Sequence, residues 1–133
     1  MERVRGIGGF FFKAEHPEAL ERWYDEHLGV IPPTGNYEAP GWFAERGETV
    51  FAPFASDSDA FGPPEKTWKI NFRVRDLDAM VSQLRAAGIE VRPHEDEYPN
   101  GRFAELADPE GNRIQLWEPN AAALARDPGP AQS

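Results

Sequence analysis

The side chains best suited to chemistry are polar residues at alternate positions of otherwise apolar stretches: Lys69, Asn71 and Arg73 in one, Glu105 and Gln115 in two others. Alternate positions of a strand share a face. Charges on an inward face cost several kcal/mol unless paired. Two readings follow. Lys69 and Glu105 neutralise one another beside Gln115 in an internal network, or the group recognises a ligand. As a catalytic set, Glu105 would act as base, with Lys69 or Arg73 stabilising an enolate-like oxyanion. Phe11, Trp42, Phe51, Phe103 and Trp117 offer planar surfaces for a ligand, against the plainer reading that aromatics in a small domain fill its core. Two histidines read as structural, His16 before a helix and His27 near that helix's end, while His94 opens the acidic loop 94–98, read as solvated with a place over the cavity mouth as the alternative. With no cysteine, disulfides, thiolate metal sites and a thiol nucleophile are excluded.

Strands and helices must place these side chains. Residues 8–14 form a short aromatic-rich stretch that reads as a strand. Pro17 and Glu18 then start a helix that carries Leu20, Trp23, Tyr24 and Leu28 at spacings of three and four and stops at Gly29. From Val30 to Gly47 the chain is broken by Pro32-Pro33, Gly35 and Pro40-Gly41, as expected of short strands joined by turns, with strands at 42–44 and 49–54. A polar, turn-forming linker covers 55–66. The same order of elements then recurs: a strand over 68–74, a helix over 76–87 ended by Gly88, a strand over 89–92, a loop, and a hairpin from Arg102 to Glu118. Leu28-Gly29-Val30 matches Ala87-Gly88-Ile89, and Gly47-Glu48-Thr49-Val50 matches Gly111-Asn112-Arg113-Ile114. The expectation is one domain over 1–120, built as two copies of a module at about 6–54 and 67–119, with a fraying tail over 121–133.

A chain of 133 residues fits one core, and a net charge of −9 opposes nucleic-acid binding, which draws on clustered Lys and Arg. Its N-terminal apolar run is too short for a signal peptide core or a membrane span. A cytoplasmic location, no membrane and a neutral or cationic small-molecule ligand are the expectations.

Residues 101–119, with the turn Asp108-Pro109-Glu110-Gly111-Asn112, resemble the closing hairpin of the vicinal oxygen chelate superfamily of glyoxalases, bleomycin-resistance proteins and dioxygenases. Residues 20–29 resemble its first helix, and the likeness spans 7–119. It implies an α+β fold of two βαβββ modules whose mixed sheet curls around a cavity. Strand parity then assigns Ile70, Phe72 and Val74 to the helix-covered side. Lys69, Asn71, Arg73, Glu105, Gln115, Phe103 and Trp117 fall on the cavity side, together with Gly9, Phe11, Lys13, Thr49 and Phe51. Metal-dependent relatives of this kind take one ligand from each of four strands, at positions that align with Gly9, Phe51, Lys69 and Gln115. Glycine and phenylalanine have no donor, lysine is a cation, and a lone amide oxygen is a poor ligand. No metal and no cofactor are therefore expected. The resemblance implies a homodimer that sequesters a small molecule, as bleomycin-resistance proteins do. The alternatives are a lyase, isomerase or dioxygenase, metal-free or with displaced ligands, and a regulatory binding module.

Overall fold

The computed structural model describes residues 1–33 and 40–129. The turn expected at Gly35 and the last four residues of the tail lie outside the described residues.

Helix α1 (Pro17–Leu28) begins where proline's fixed φ suits the first turn, with Glu18 set against the helix dipole. His16 stands at its N-cap without a side-chain cap bond. Instead the Glu110 carboxylate, far along the chain, accepts from the backbone N–H of Glu15 at 2.8 Å and of His16 at 3.0 Å. Gly29 ends the helix in the left-handed region, donating to Asp25 O, and Val30 N donates to Tyr24 O. The helix buries Leu20 and Tyr24, one turn apart.

The described strands all belong to the second half. They are β1 (Lys69–Arg73), β2 (Arg92–Pro93), β3 (Gly101–Ala107) and β4 (Arg113–Pro119), in the sheet order β1-β4-β3-β2. Strand β1 runs parallel to β4, and β3 is antiparallel to both β4 and β2, so the sheet is mixed. Between β1 and β2 lies α2 (Leu77–Ala86), capped by Asp76, whose side chain accepts from Ala79 N at 3.0 Å. Leu77, Val81 and Leu84 recur on one face of α2 and are buried against the sheet. A short helix, α3 (Ala121–Leu124), follows β4.

Parity divides the sheet as the sequence requires. Ala104 and Leu106 of β3 and Ile114 and Leu116 of β4 are buried with Leu20 and Tyr24 of α1 and with the apolar face of α2, and Ile70 and Phe72 pack against this cluster. Burying each large aliphatic side chain contributes about 1.5–3 kcal/mol. The hairpin is closed by its turn. Asp108 Oδ1 accepts from Glu110 N and Asn112 N, Gly111 N donates to Asp108 O, and Gly111 has positive φ. Asp108 Oδ2 accepts from Asn112 Nδ2 at 2.8 Å and from the Tyr24 hydroxyl at 2.7 Å, which ties α1 to the hairpin.

The first half differs from expectation. Among the described residues, 8–14, 42–44 and 49–54 pair into no strand. Period two persists without a ladder: Phe10 and Phe12 lie 5.1 and 4.7 Å from Trp68, while Phe11 between them is 92% exposed. Alternation specifies which side chains share a face, but a strand also needs a hydrogen-bonded neighbour, which alternation does not supply. The strand expected over 89–92 is replaced by the two-residue β2, which overlaps that range only at Arg92. Val91 is buried in the core, and its carbonyl accepts from the Arg85 guanidinium at 2.9 Å rather than from a ladder partner. No helix among the described residues is long and apolar enough to cross a membrane.

Candidate functional site

The sheet face away from the helices gathers a polar group around Glu105. Register places Glu105 opposite Gln115, Gln115 opposite Asn71, and Phe103 opposite Trp117. Lys69 Nζ reaches across β4 to Glu105 Oε1 at 2.6 Å. Gln115 Nε2 donates to Glu105 Oε2 at 2.8 Å, and Gln115 Oε1 accepts from Asn71 Nδ2 at 2.7 Å. His94 Nε2 lies 2.8 Å from Glu105 Oε2, and its Nδ1 lies 3.2 Å from the Tyr98 hydroxyl. Lys69 and Glu105 keep only 19% and 15% of their side-chain surface exposed, so the pair is far less screened than a surface ion pair.

Partial burial alone would raise the Glu105 pKa. The hydrogen bonds from Lys69, Gln115 and His94 and the Lys69 charge outweigh burial, so the carboxyl sits below its ordinary range. Both of its oxygens are engaged, which makes it an ionised anchor for its neighbours rather than a free base.

His94 and Tyr98 stood outside the group that parity selected from the sequence. Their place is set by the register of the short strand β2 on β3. Arg92 pairs with Glu105 and Pro93 with Ala104, so His94, just past the end of β2, comes beside Phe103, and His94 N donates to Phe103 O at 2.9 Å. The His94 and Tyr98 rings pack 6.0 and 5.6 Å from Phe103, and Phe103 lies nearly parallel to Trp117 at 6.2 Å. Trp117 is only 3% exposed, and its ring N–H donates to Asn100 O. It is a wall with one narrow accessible surface.

The remaining predicted site residues lie elsewhere. Arg73 turns its guanidinium to the carbonyls of Glu45, at 2.7 Å, and of Glu48. There it borders a cleft of about 650 Å³ whose walls include Trp117, Val74, Leu124 and Arg126. That volume falls within the range of small-molecule pockets. Trp42 packs edge-on against Phe72 at 6.2 Å, on the helix-covered side of the sheet. Phe11 and Phe51 are almost fully exposed, and the structure does not bring them to Glu105.

These residues do not fit the metal centre that such a fold can carry. Lys69 is ion-paired, both ends of the Gln115 amide are occupied, and Gly9 and Phe51 have no donor atom. Among the described residues no three His, Cys, Asp or Glu side chains are grouped to hold a metal ion.

Comparison with known proteins agrees with the architecture. A family profile described as a glyoxalase-like domain matches residues 9–117. The crystal structure of TnmS3, an antibiotic binding protein from Streptomyces sp. CB03234, is similar over 90% of this chain and 100% of that one, with a TM-score of 0.58 and 22% identity. Lactoylglutathione lyase from Agrobacterium tumefaciens is similar over 88% of this chain and 96% of its own, with a TM-score of 0.52 and 22% identity. No curated protein matches the sequence. At such identities the structural likeness speaks for the fold alone.

Proposed function

The chain belongs to the glyoxalase-like domain family, and on that premise we propose that it binds a small organic molecule without a metal and holds it rather than transforming it. The observation that carries this reading is the Glu105 group, where a lysine ammonium already neutralises the central carboxylate of the open face. The face is then electrically balanced and offers fixed amide and aromatic contacts. The cleft beside Arg73 and Trp117 supplies adjacent volume. The antibiotic-binding activity named for TnmS3 is in keeping with sequestration.

We place the working unit as a homodimer. Phe11, Phe43, Phe51 and Phe54 are exposed on segments that have no strand partner among the described residues, and a second copy is the simplest cover for such apolar surface. The cysteine-free composition suits the reducing cytoplasm.

Purified protein is to be screened by thermal shift against a panel of small organic molecules, with mass spectrometry of every hit after long incubation. Stabilisation with the ligand recovered unchanged is the expected result. Product formation would replace sequestration with catalysis. Elemental analysis of protein prepared without added metal should find no stoichiometric Fe, Mn, Ni or Zn, and one equivalent of any of them would overturn the metal-free reading. Light scattering at several concentrations should return twice the chain mass of 14.9 kDa.

A further inference from the structure

Tyr98 and His94 extend the Glu105 group into a continuous hydrogen-bonded chain whose two proton-bearing rings the binding function above leaves without a role. An ionised carboxylate only accepts, so the Nε2 that faces Glu105 carries a proton. In the neutral ring Nδ1 is then an acceptor, and the Tyr98 hydroxyl donates to it. The order is phenol, imidazole, carboxylate. It matches the logic of an oxygen acid activated by a histidine that a carboxylate orients. Tyr98 is 38% exposed as a residue, and its oxygen retains a lone pair for an incoming group. Lys69 and Gln115 fix the far end of the chain by holding Glu105. The other charged residues that flank His94 are Arg92 on β2 and Glu95, Asp96 and Glu97 on its own loop, while His94 Nε2 meets the Glu105 carboxylate directly at 2.8 Å.

We propose that the Tyr98–His94–Glu105 chain is a proton relay that ionises a bound small molecule bearing a weakly acidic hydroxyl, such as a phenol or an enol. The inference rests on the open face being a small-molecule site. In the step, the ligand O–H bond breaks and its proton passes to the Tyr98 oxygen as the Tyr98 proton passes to His94 Nδ1. The ligand oxygen keeps the electron pair, and Glu105 holds the imidazolium that forms. The products are a ligand anion and a protonated His94, so no oxidant and no leaving group are needed. Reversal returns the proton on release.

4-Nitrophenol reports its own ionisation by absorbance and serves as the probe. Bound to the wild-type chain, it should ionise about one pH unit below its value in free solution, a tenfold gain in anion at a given pH. His94→Gln and Tyr98→Phe, each checked for a native circular dichroism spectrum, should bring the bound dye back to its solution value. A bound dye that titrates as it does in water, or a shift that survives in both variants, overturns the relay while the binding site stands. Failure of the dye to bind while other members of the panel do would overturn the hydroxyl class and leave the binding reading intact. Failure of every panel member would remove both. Without any ligand, nitrogen NMR of His94 at neutral pH should show the proton on Nε2, and a proton on Nδ1 alone would overturn the proposal.

Discussion

Replacing Glu105 tests the electrostatics of the open face most directly. Glu105→Gln removes the charge that pairs with Lys69 at 2.6 Å and leaves one acceptor oxygen where two served Lys69, Gln115 and His94, the last two at 2.8 Å each. A hydrogen bond to a charged group contributes about 1.5–3 kcal/mol, but the glutamine oxygen keeps part of it and the half-buried His94 recovers water. The net cost should be about 2 kcal/mol, rising to about 3 kcal/mol in Glu105→Leu, where Lys69 keeps its charge in a largely buried place with no partner. In a domain of this size that lowers Tm by about 6–12 °C. Because the Glu105 carboxyl is held below its ordinary pKa, its contribution is complete above the unfolded value near 4.3 and is lost as pH falls through the lower folded value. Calorimetry from pH 7 towards pH 3 should therefore show wild type and Glu105→Gln converging in acid. A gap that stays constant across that range, or a Glu105→Leu variant as stable as wild type, would refute the account.

Tyr24→Phe should cost about 1–1.5 kcal/mol in urea unfolding, whereas Asp108→Ala should cost at least about 3 kcal/mol because it strips the Tyr24 hydroxyl, Glu110 N and both nitrogens of Asn112 of one shared acceptor. Burial, then the hydrogen bond to Asp108, holds the Tyr24 phenol far above its ordinary pKa, so stability is full below about pH 10 and falls as pH rises further; alkaline absorbance should show this tyrosine ionising only as the protein unfolds. Gly101→Ala should abolish the cooperative thermal transition or lower it steeply, since φ of +134° is hostile to a side chain and the new Cβ would collide with the Glu118 carbonyl oxygen. Gln115→Ala should leave a cooperative melt while weakening ligand-dependent stabilisation, and loss of folding would instead mark Gln115 as a structural residue.

What the sequence determined by itself was local or periodic. The turn at Asp108–Asn112 carries its own chemistry, and β3 and β4 follow from it with the register that sets Glu105 against Gln115 and Phe103 against Trp117. Strand parity separated the apolar core face from the face that bears Lys69 and Asn71, and opposite charges on that face offered the Lys69–Glu105 pair as one of two readings, which the structure contains. Glycines 29 and 88 marked the ends of both long helices because each takes positive φ. What only tertiary structure decided was where long side chains and non-local segments go. His94 joins Glu105 because β2, though two residues long, docks against β3, and no local pattern reveals that pairing. Trp42 lies on the helix-covered side against Phe72, and Arg73 turns to the carbonyls of residues 45 and 48, because a side chain follows its nearest partner as well as its strand's parity. The aromatic stretches of the first half alternate as strands do, yet find no ladder partner among the described residues. A ladder is a relation between two backbones, and the sequence of one segment encodes only its own side of it.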